Sequence, residues 1–460
     1  MFVADGPTGW GSSLGLVHIS LMHEPIPVVL QAAAGAALIV AIGARSRKWW
    51  LLWGPAAVLC GSLLALWAYA LISTEGVAGE PAPVAFWGWL AITGAAALVL
   101  LAGWQGIRWW RRVVSVLAVP LAALCAGQSL NAWLGYVPTV GAAWTQLFAA
   151  ALPGQTDAAT VTAMQRAGKL PPKGVVVSVM IDTGAVKFKH RNELVYLPPA
   201  WFISNPPPRL PAVMMIGGEF NTPTDWILAG DAVATLDDYA AQHGGNAPVA
   251  VFVDSGGAFN IDTECVDGPR GDAATHLAQE VPPFMASHFG VSPDPADWAI
   301  VGFSAGGTCA IDLTVMHPER FRTFVDIAGD MGPNSGNKAQ TVSRLFGGSV
   351  SAWDAFDPAT VMANHGRYEG VAALFTVSGA RVDAGGGVTG ANENERSVAN
   401  RLCDLGRTQN IRCAVEAYPG KHDWPFAGRS FAAALQWLAA CIHIRGSRPA
   451  ESAQRSCSVR

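Results

Sequence analysis

The sequence predicts an α/β fold over residues 173–444, a mostly parallel sheet covered by helices on both faces, behind a four-helix transmembrane region. Three observations predict it. Residues 1–165 hold only six of the chain's 30 Lys and Arg, all within 45–48 and 108–112, so an apolar part precedes a polar one. Beyond residue 173, short β-branched runs alternate with helical periodicity, the pattern of parallel strands joined by crossover helices. Within that alternation Gly302-Phe303-Ser304-Ala305-Gly306 separates a strand-like run, Trp298 to Phe303, from a helix-like run, Thr308 to His317. A serine at a sharp strand-to-helix turn, flanked by glycines, is the context of a catalytic nucleophile elbow.

The apolar part, residues 1–136, is expected to be a four-helix transmembrane domain with its N-terminus outside. Its runs are Ile26–Gly43, Trp49–Ile72, Val84–Ile107 and Val113–Tyr136, each near the ~20 residues that a helix needs to cross the hydrocarbon core. Gln31, Gln105, Gln128 and Asn131 are polar exceptions suited to interhelical hydrogen bonds. Arg45, Arg47 and Lys48 follow the first run, and Arg108, Arg111 and Arg112 follow the third. The loop 73–83 and the first 25 residues have no Lys or Arg. Positive loops stay in the cytoplasm, so everything after the fourth run is expected outside it. Trp49, Trp50, Trp109 and Trp110 flank the basic loops as an aromatic belt would. No basic segment precedes the first run, so a cleavable signal peptide is not expected.

Residues 137–172 read as a linker with a short helix near Ala158–Ala167. Gly174–Ile181 and Glu193–Leu197 read as an antiparallel hairpin. Strands follow at Ala212–Ile216, Pro248–Val253, Trp298–Phe303, Thr323–Ala328, Ala372–Ser378 and Ile411–Tyr418. Helices are expected at Asp231–Gln242, at His276–Phe289 with an interruption at Pro282-Pro283, at Asn392–Leu405 and at Phe426–Ile442. Residues 329–370 are irregular with short helices, placed where a lid or acyl-binding insert would go. Residues 445–460 form a polar tail. Six cysteines lie in the polar part and allow fifteen pairings. Cys403–Cys413 is favoured, because a helix end and the next strand start meet there.

A serine hydroxyl needs a base to take its proton and an acid to orient that base. In such folds the order is Ser, acid, His. His422 directly follows the last strand, at the carboxyl end of the sheet where ligands of open α/β sheets bind. His317 and His443 lie on helices and His365 in the irregular insert, so His422 is the expected base. The acid is expected past the preceding strand, at Asp383, with Glu393, Glu395 and Asp330 as rivals. The oxyanion hole needs two backbone N–H groups. Ala305 supplies one, and Glu219 in the loop Gly217-Gly218-Glu219-Phe220 is the candidate for the other. No cofactor or metal ligand set is read from the sequence. The net charge of −4 includes no basic stripe, which excludes a nucleic-acid partner.

These motifs together resemble the esterase D and antigen 85 (mycolyltransferase-like) group of α/β-hydrolases over roughly Val175 to Leu438. The marks are Val195-Tyr196-Leu197-Pro198-Pro199, Gly217-Gly218, Val301-Gly302-Phe303-Ser304-Ala305-Gly306-Gly307, His317-Pro318-Glu319-Arg320-Phe321 and His422-Asp423-Trp424. The resemblance implies a Ser-acid-His triad with a covalent acyl-enzyme. Mycolyltransferases carry a Glu as the acid and many esterases an Asp. The membrane part resembles that of membrane-anchored actinobacterial esterases. The expectation is a membrane-anchored extracytoplasmic serine hydrolase of a lipid or cell-envelope ester. An acyltransferase to an envelope sugar or lipid alcohol is the alternative, and a non-catalytic binding protein of the same fold is the alternative of another class.

Overall fold

The computed structural model describes residues 19–43, 45–75, 82–104, 108–148, 150–181, 186–220, 222–258, 261–382, 388–444 and Cys457. The chain divides into two compact units, Met1–Ala150 and Ala151–Arg460.

In the first unit the apolar runs form helices α1 (Ile26–Ile42), α2 (Arg47–Glu75), α3 (Val84–Ala102) and α4 (Trp109–Leu134). The last three are long and apolar enough to cross a membrane. Helix α1 has 17 residues and ends at Gly43, where φ of +54° stops the helix, so it is shorter than the span expected there. Helices α2 and α3 meet through small residues. A Cβ at Gly61 would overlap the Ala91 carbonyl, and one at Gly94 would lie 3.0 Å from the Gly61 Cα. In lipid this close approach supplies the dispersion contact that holds helices together. Arg111 of α4 donates to the Val40 carbonyl of α1 at 3.0 and 3.2 Å, satisfying an acceptor near a helix end. Gln128 and Asn131 also bond within this unit, Gln128 to the Leu21 carbonyl at 3.3 Å and Asn131 to the Val137 carbonyl at 2.9 Å.

The second unit is built on a twisted sheet. Its strands are β1 (Gln155–Thr156), β2 (Val175–Val179), β3 (Glu193–Leu197), β4 (Ala212–Ile216), β5 (Val249–Phe252), β8 (Trp298–Phe303), β9 (Thr323–Ile327), β10 (Ala372–Val382), β11 (Val388–Ala391) and β12 (Arg412–Pro419). A separate short hairpin pairs β6 (Asp267–Gly268) with β7 (Gly271–Asp272). The order across the sheet is β1-β2-β3-β5-β4-β8-β9-β10, with β11 and β12 both on β10. Strands β5, β4, β8, β9, β10 and β12 are mutually parallel, while β2, β3 and β11 make antiparallel pairs. The central strands β4, β5, β8 and β9 are buried along their whole length, which explains why they read as continuous apolar runs instead of alternating ones.

The chain passes from β4 outward to β5 and then back across β4 to β8. This reversal is a topological switch point, where a crevice opens at the carboxyl ends of the strands. Ile216 pairs with Gly302, so the loops after β4 and β8 emerge side by side at that crevice.

Two elements differ from expectation. Pro282 and Pro283 do not interrupt their helix. A π-helical turn, His276–Glu280, leads into the helix Val281–Phe289, so the prolines sit in its first turn, where no intrahelical N–H is needed. Strand β10 runs past Ser378 to Val382 and folds back as β11, a hairpin that the Gly385-Gly386-Gly387 run gave no strand signal for. Cysteines pair as Cys265–Cys309, Cys403–Cys413 and Cys441–Cys457, and Cys60 and Cys125 are free.

Candidate active site

Ser304 stands between β8 and the helix Ala305–Met316 with φ +57° and ψ −123°, a strained conformation for a side-chain-bearing residue. The surrounding glycines make the turn possible. A Cβ on Gly302 would overlap the Gly306 carbonyl, and one on Gly306 would overlap the carbonyls of Ile216 and Gly217. The Ser304 N–H bonds the Ile327 carbonyl of β9 at 2.9 Å, which fixes the apex to the sheet.

His422 Nε2 lies 2.9 Å from Ser304 Oγ, the contact a general base needs. The histidine is held from two directions. Phe303 packs against its ring at a centroid distance of 5.0 Å, and Trp424 packs against Phe303 at 5.3 Å. Asp423 caps the closing helix Trp424–Cys441 by accepting the Phe426 N–H at 2.9 Å. The neighbouring residues of His422 thus anchor a helix while its own ring turns to the serine. The other histidines lie elsewhere. His317 bonds Glu319, His365 stacks on Tyr368 and His443 bonds Asp297.

The carboxylate on His422 is Glu395, whose Oε1 lies 3.0 Å from Nδ1. Glu395 is buried at the first turn of the helix Glu393–Thr408. It accepts the Ser378 N–H at 2.6 Å, the Ser378 hydroxyl at 3.1 Å and the Asn392 amide at 3.1 Å. Burial pushes its pKa up, but the His422 and Ser378 hydrogen bonds outweigh burial and hold it below the ordinary value. Asp383, expected as the acid, lies outside the described residues. The rivals Glu393 and Asp330 are not on His422: Glu393 is exposed, and Asp330 accepts from Asn334 at 2.8 Å. The reason is the unforeseen hairpin. Strand β10 overshoots the site, returns through β11 and brings Asn392-Glu393-Asn394-Glu395 back beside Ser378. An Asn followed three residues later by Glu is a helix-start signature that was visible in the sequence.

Glu219 and Ala305 line one cleft with Gly218 and Gly306. Gly218 lies hard against the nucleophile, since a Cβ there would be 3.2 Å from that of Ser304. The far wall is made by Ser255, Gly256 and Ala258 with Ile261 to Cys265, and Cys265 is tied to the elbow helix by its disulfide to Cys309. Arg191 shapes that wall by chelating buried Asp254 at 2.6 and 2.9 Å, while Asp254 also accepts the N–H groups of Gly256 and Gly257 at 3.2 and 3.0 Å. Sequence reasoning missed the acidic side chains of the wall. Glu264 and Asp262 face the cleft, and burial raises the pKa of both, with neighbouring Asp262, Asp330 and Glu219 adding to the effect at Glu264. Burial therefore makes Glu264 and Asp262, beside the serine, weaker acids than exposed carboxyl groups.

The family description "putative esterase" matches residues 189–438. An uncharacterized protein of Corynebacterium glutamicum is 30% identical over 261 residues, covering 56% of this chain and 59% of the relative. The MPT51 antigen of Mycobacterium leprae is 31% identical over 139 residues, 28% of this chain and 43% of the relative. The chain thus spans about half the length of these relatives. The diacylglycerol acyltransferase/mycolyltransferase Ag85A of Mycobacterium gordonae is 26% identical over 259 residues, covering 46% of this chain and 70% of the relative. Among solved structures, an S-formylglutathione hydrolase from Agrobacterium tumefaciens overlays 59% of this chain and 97% of its own at a TM-score of 0.46 and 17% identity.

Proposed function

The chain belongs to the putative esterase family of α/β-hydrolases, and from that premise we propose that it is a membrane-anchored serine acyl-ester hydrolase working outside the cytoplasm. The observation that carries the reading is the continuous relay Ser304–His422–Glu395, with successive contacts of 2.9 and 3.0 Å. His422 takes the Ser304 proton as Oγ attacks the ester carbonyl. Ionised Glu395 fixes the Nδ1–H tautomer and stabilises the imidazolium. The N–H groups of Ala305 and Glu219 receive the oxyanion. His422 then gives its proton to the leaving alcohol, and an acyl-enzyme remains on Ser304. Water activated by the same histidine releases the acid.

Transfer of the acyl group to an alcohol is the second reading, and one observation favours it. The cleft beside Ser304 presents Glu264 and Asp262 among apolar Phe220, Ala258 and Ile261. Buried carboxyl groups in a partly dry site hydrogen-bond hydroxyls, which suits a polyhydroxylated acceptor or leaving group. Apolar helices α2, α3 and α4 support anchoring beside a lipid or envelope ester. The basic loops 45–48 and 108–112 support a cytoplasmic face there and an outside location for Ser304.

The test is product analysis. The detergent-solubilised chain is incubated with a long-chain ester, alone and with glycerol, trehalose or a monoacylglycerol. Free fatty acid in every reaction supports hydrolysis. A new acylated alcohol formed at the expense of free acid supports transfer. Neither product, from a chain whose Ser304 still reacts with a fluorophosphonate, would leave the non-catalytic reading standing and overturn both others.

A further inference from the structure

We propose that His190, Glu193 and His276 bind a structural divalent metal ion of the zinc type, with Glu280 as the outer carboxylate. The three offer one ligand atom each, and those atoms lie within 4.8 Å of one another. Glu193 Oε1 is 2.8 Å from His190 Nδ1 and 3.2 Å from His276 Nε2. Two ligands on a tetrahedral zinc ion at ~2.1 Å stand about 3.4 Å apart, so Glu193 Oε1 already lies within a fraction of an ångström of that spacing from both histidine nitrogens.

Hydrogen bonding leaves one buried atom of this cluster unserved. His276 is fully buried, and its Nδ1 lies 2.9 Å from Glu280 Oε2. Its Nε2 faces Glu193 Oε1, the same oxygen that His190 Nδ1 contacts, so one carboxylate oxygen serves both rings. A cation among the three would take these donors as ligands in place of the protons they now share. Glu193 is fully buried, and among the described residues its Oε2 has no hydrogen-bond partner. An unpaired buried carboxylate oxygen is destabilising, and ligation would remove that cost. The His276–Glu280 contact is the carboxylate-histidine arrangement that outer-shell partners of metal-bound histidines adopt. The Arg191 carbonyl accepts from His190 Nδ1 at 2.9 Å, and it lies near enough to serve as a fourth ligand once an ion displaces that proton. Imidazole nitrogen with carboxylate oxygen selects zinc-like ions over calcium or magnesium. The ligands sit on firm elements: Glu193 opens β3, and His276 and Glu280 bound the π-helical turn. His190 stacks on His276 at a centroid distance of 4.3 Å.

The site is remote in role from the triad but connected to the cleft. The ion would pin the segment 187–192, whose Arg191 holds Asp254 and with it the cleft wall. Both histidines are nearly shut from solvent, which fits a structural ion rather than a catalytic one with an open position. Nothing in this inference rests on the ester chemistry.

The experiment uses the full chain in detergent, with any tag removed. After chelation, zinc is added back and bound metal is counted by mass spectrometry. The expected result is about one zinc per chain and a rise in Tm. Cobalt(II) in place of zinc should give the intense visible d–d bands of a four-coordinate nitrogen and oxygen site. Glu280→Gln should weaken zinc binding about 10- to 100-fold while fluorophosphonate labelling of Ser304 persists. His190→Gln/His276→Gln should abolish binding. A wild-type chain that labels normally yet takes up no zinc overturns the proposal. So does cobalt with thiolate charge-transfer bands, which would point to Cys60 or Cys125; this wild-type spectrum decides even where the double variant does not fold.

Discussion

At the scale of single residues, the weight falls on one carboxylate. Glu395 and not an exposed neighbour touches His422, and its four hydrogen bonds exceed what a merely buried Glu needs. Glu395→Gln keeps the shape but can hold the histidine in the wrong tautomer. It should lower ester turnover by roughly 10³- to 10⁴-fold, with circular dichroism unchanged. Asp383→Asn should stay within about threefold of the parent, because the Nδ1 partner is already supplied. Glu395 also has a signature in pH. Its folded pKa lies below the ordinary carboxylate value, so its stabilisation is present above that value and is lost as pH falls through the folded pKa. Acid unfolding followed by tryptophan fluorescence should begin at higher pH in the wild type than in Glu395→Gln once the variants are normalised to their neutral stability.

Among the elements, the elbow helix Ala305–Met316 carries an internal conflict. Asp312 is buried on it, and among the described residues neither of its carboxylate oxygens has a hydrogen-bond partner. Burial, reinforced by Asp357 and Asp326, pushes its pKa well above the carboxylate range. A raised folded pKa means that the folded state favours the protonated acid, so stability is lost as pH rises from the ordinary carboxylate value toward the folded one. Asp312→Asn cannot ionise. Its Tm should match the parent at pH 4 and exceed it at pH 8, and the opposite order would contradict the burial argument. The Cys403–Cys413 link closes a separation of 10 residues, and removing it should cost about 2–3 kcal/mol in chemical unfolding while Ser304 labelling survives. These elements also show what was legible. Strands β4 and β8 could be placed from the sequence to the residue, because buried apolar runs bounded by glycine leave little choice. Ser304 and His422 were legible because a strained turn and a strand-end loop fix them locally. Glu395 was named only as a rival, since its place depends on a glycine-rich hairpin without periodicity. The His190, Glu193 and His276 cluster was not legible at all, because its members are brought together from 86 positions apart by the fold and no spacing motif joins them.

For the whole molecule, the account joins an apolar helical unit to a catalytic α/β unit without fixing how the two sit together. Its topological prediction is that a reporter fused after residue 140 shows extracytoplasmic activity, and one fused in the 45–48 loop shows cytoplasmic activity. A cytoplasmic signal after residue 140 would reverse the orientation and remove the reason to look for an envelope substrate. The acidic cleft gives a second prediction at this scale. Glu264→Leu should raise turnover of simple acyl esters relative to esters of polyols, because it replaces a hydrogen-bonding group with an apolar one. The central claim is that Ser304 is a nucleophile activated by His422. It is tested most directly by treating the solubilised chain with a fluorophosphonate and locating the adduct by peptide mass spectrometry. The account predicts a single adduct on Ser304 that is lost in Ser304→Ala and strongly slowed in His422→Ala and Glu395→Gln. An adduct on another serine, or labelling of Ser304 at an unchanged rate in His422→Ala, would contradict it.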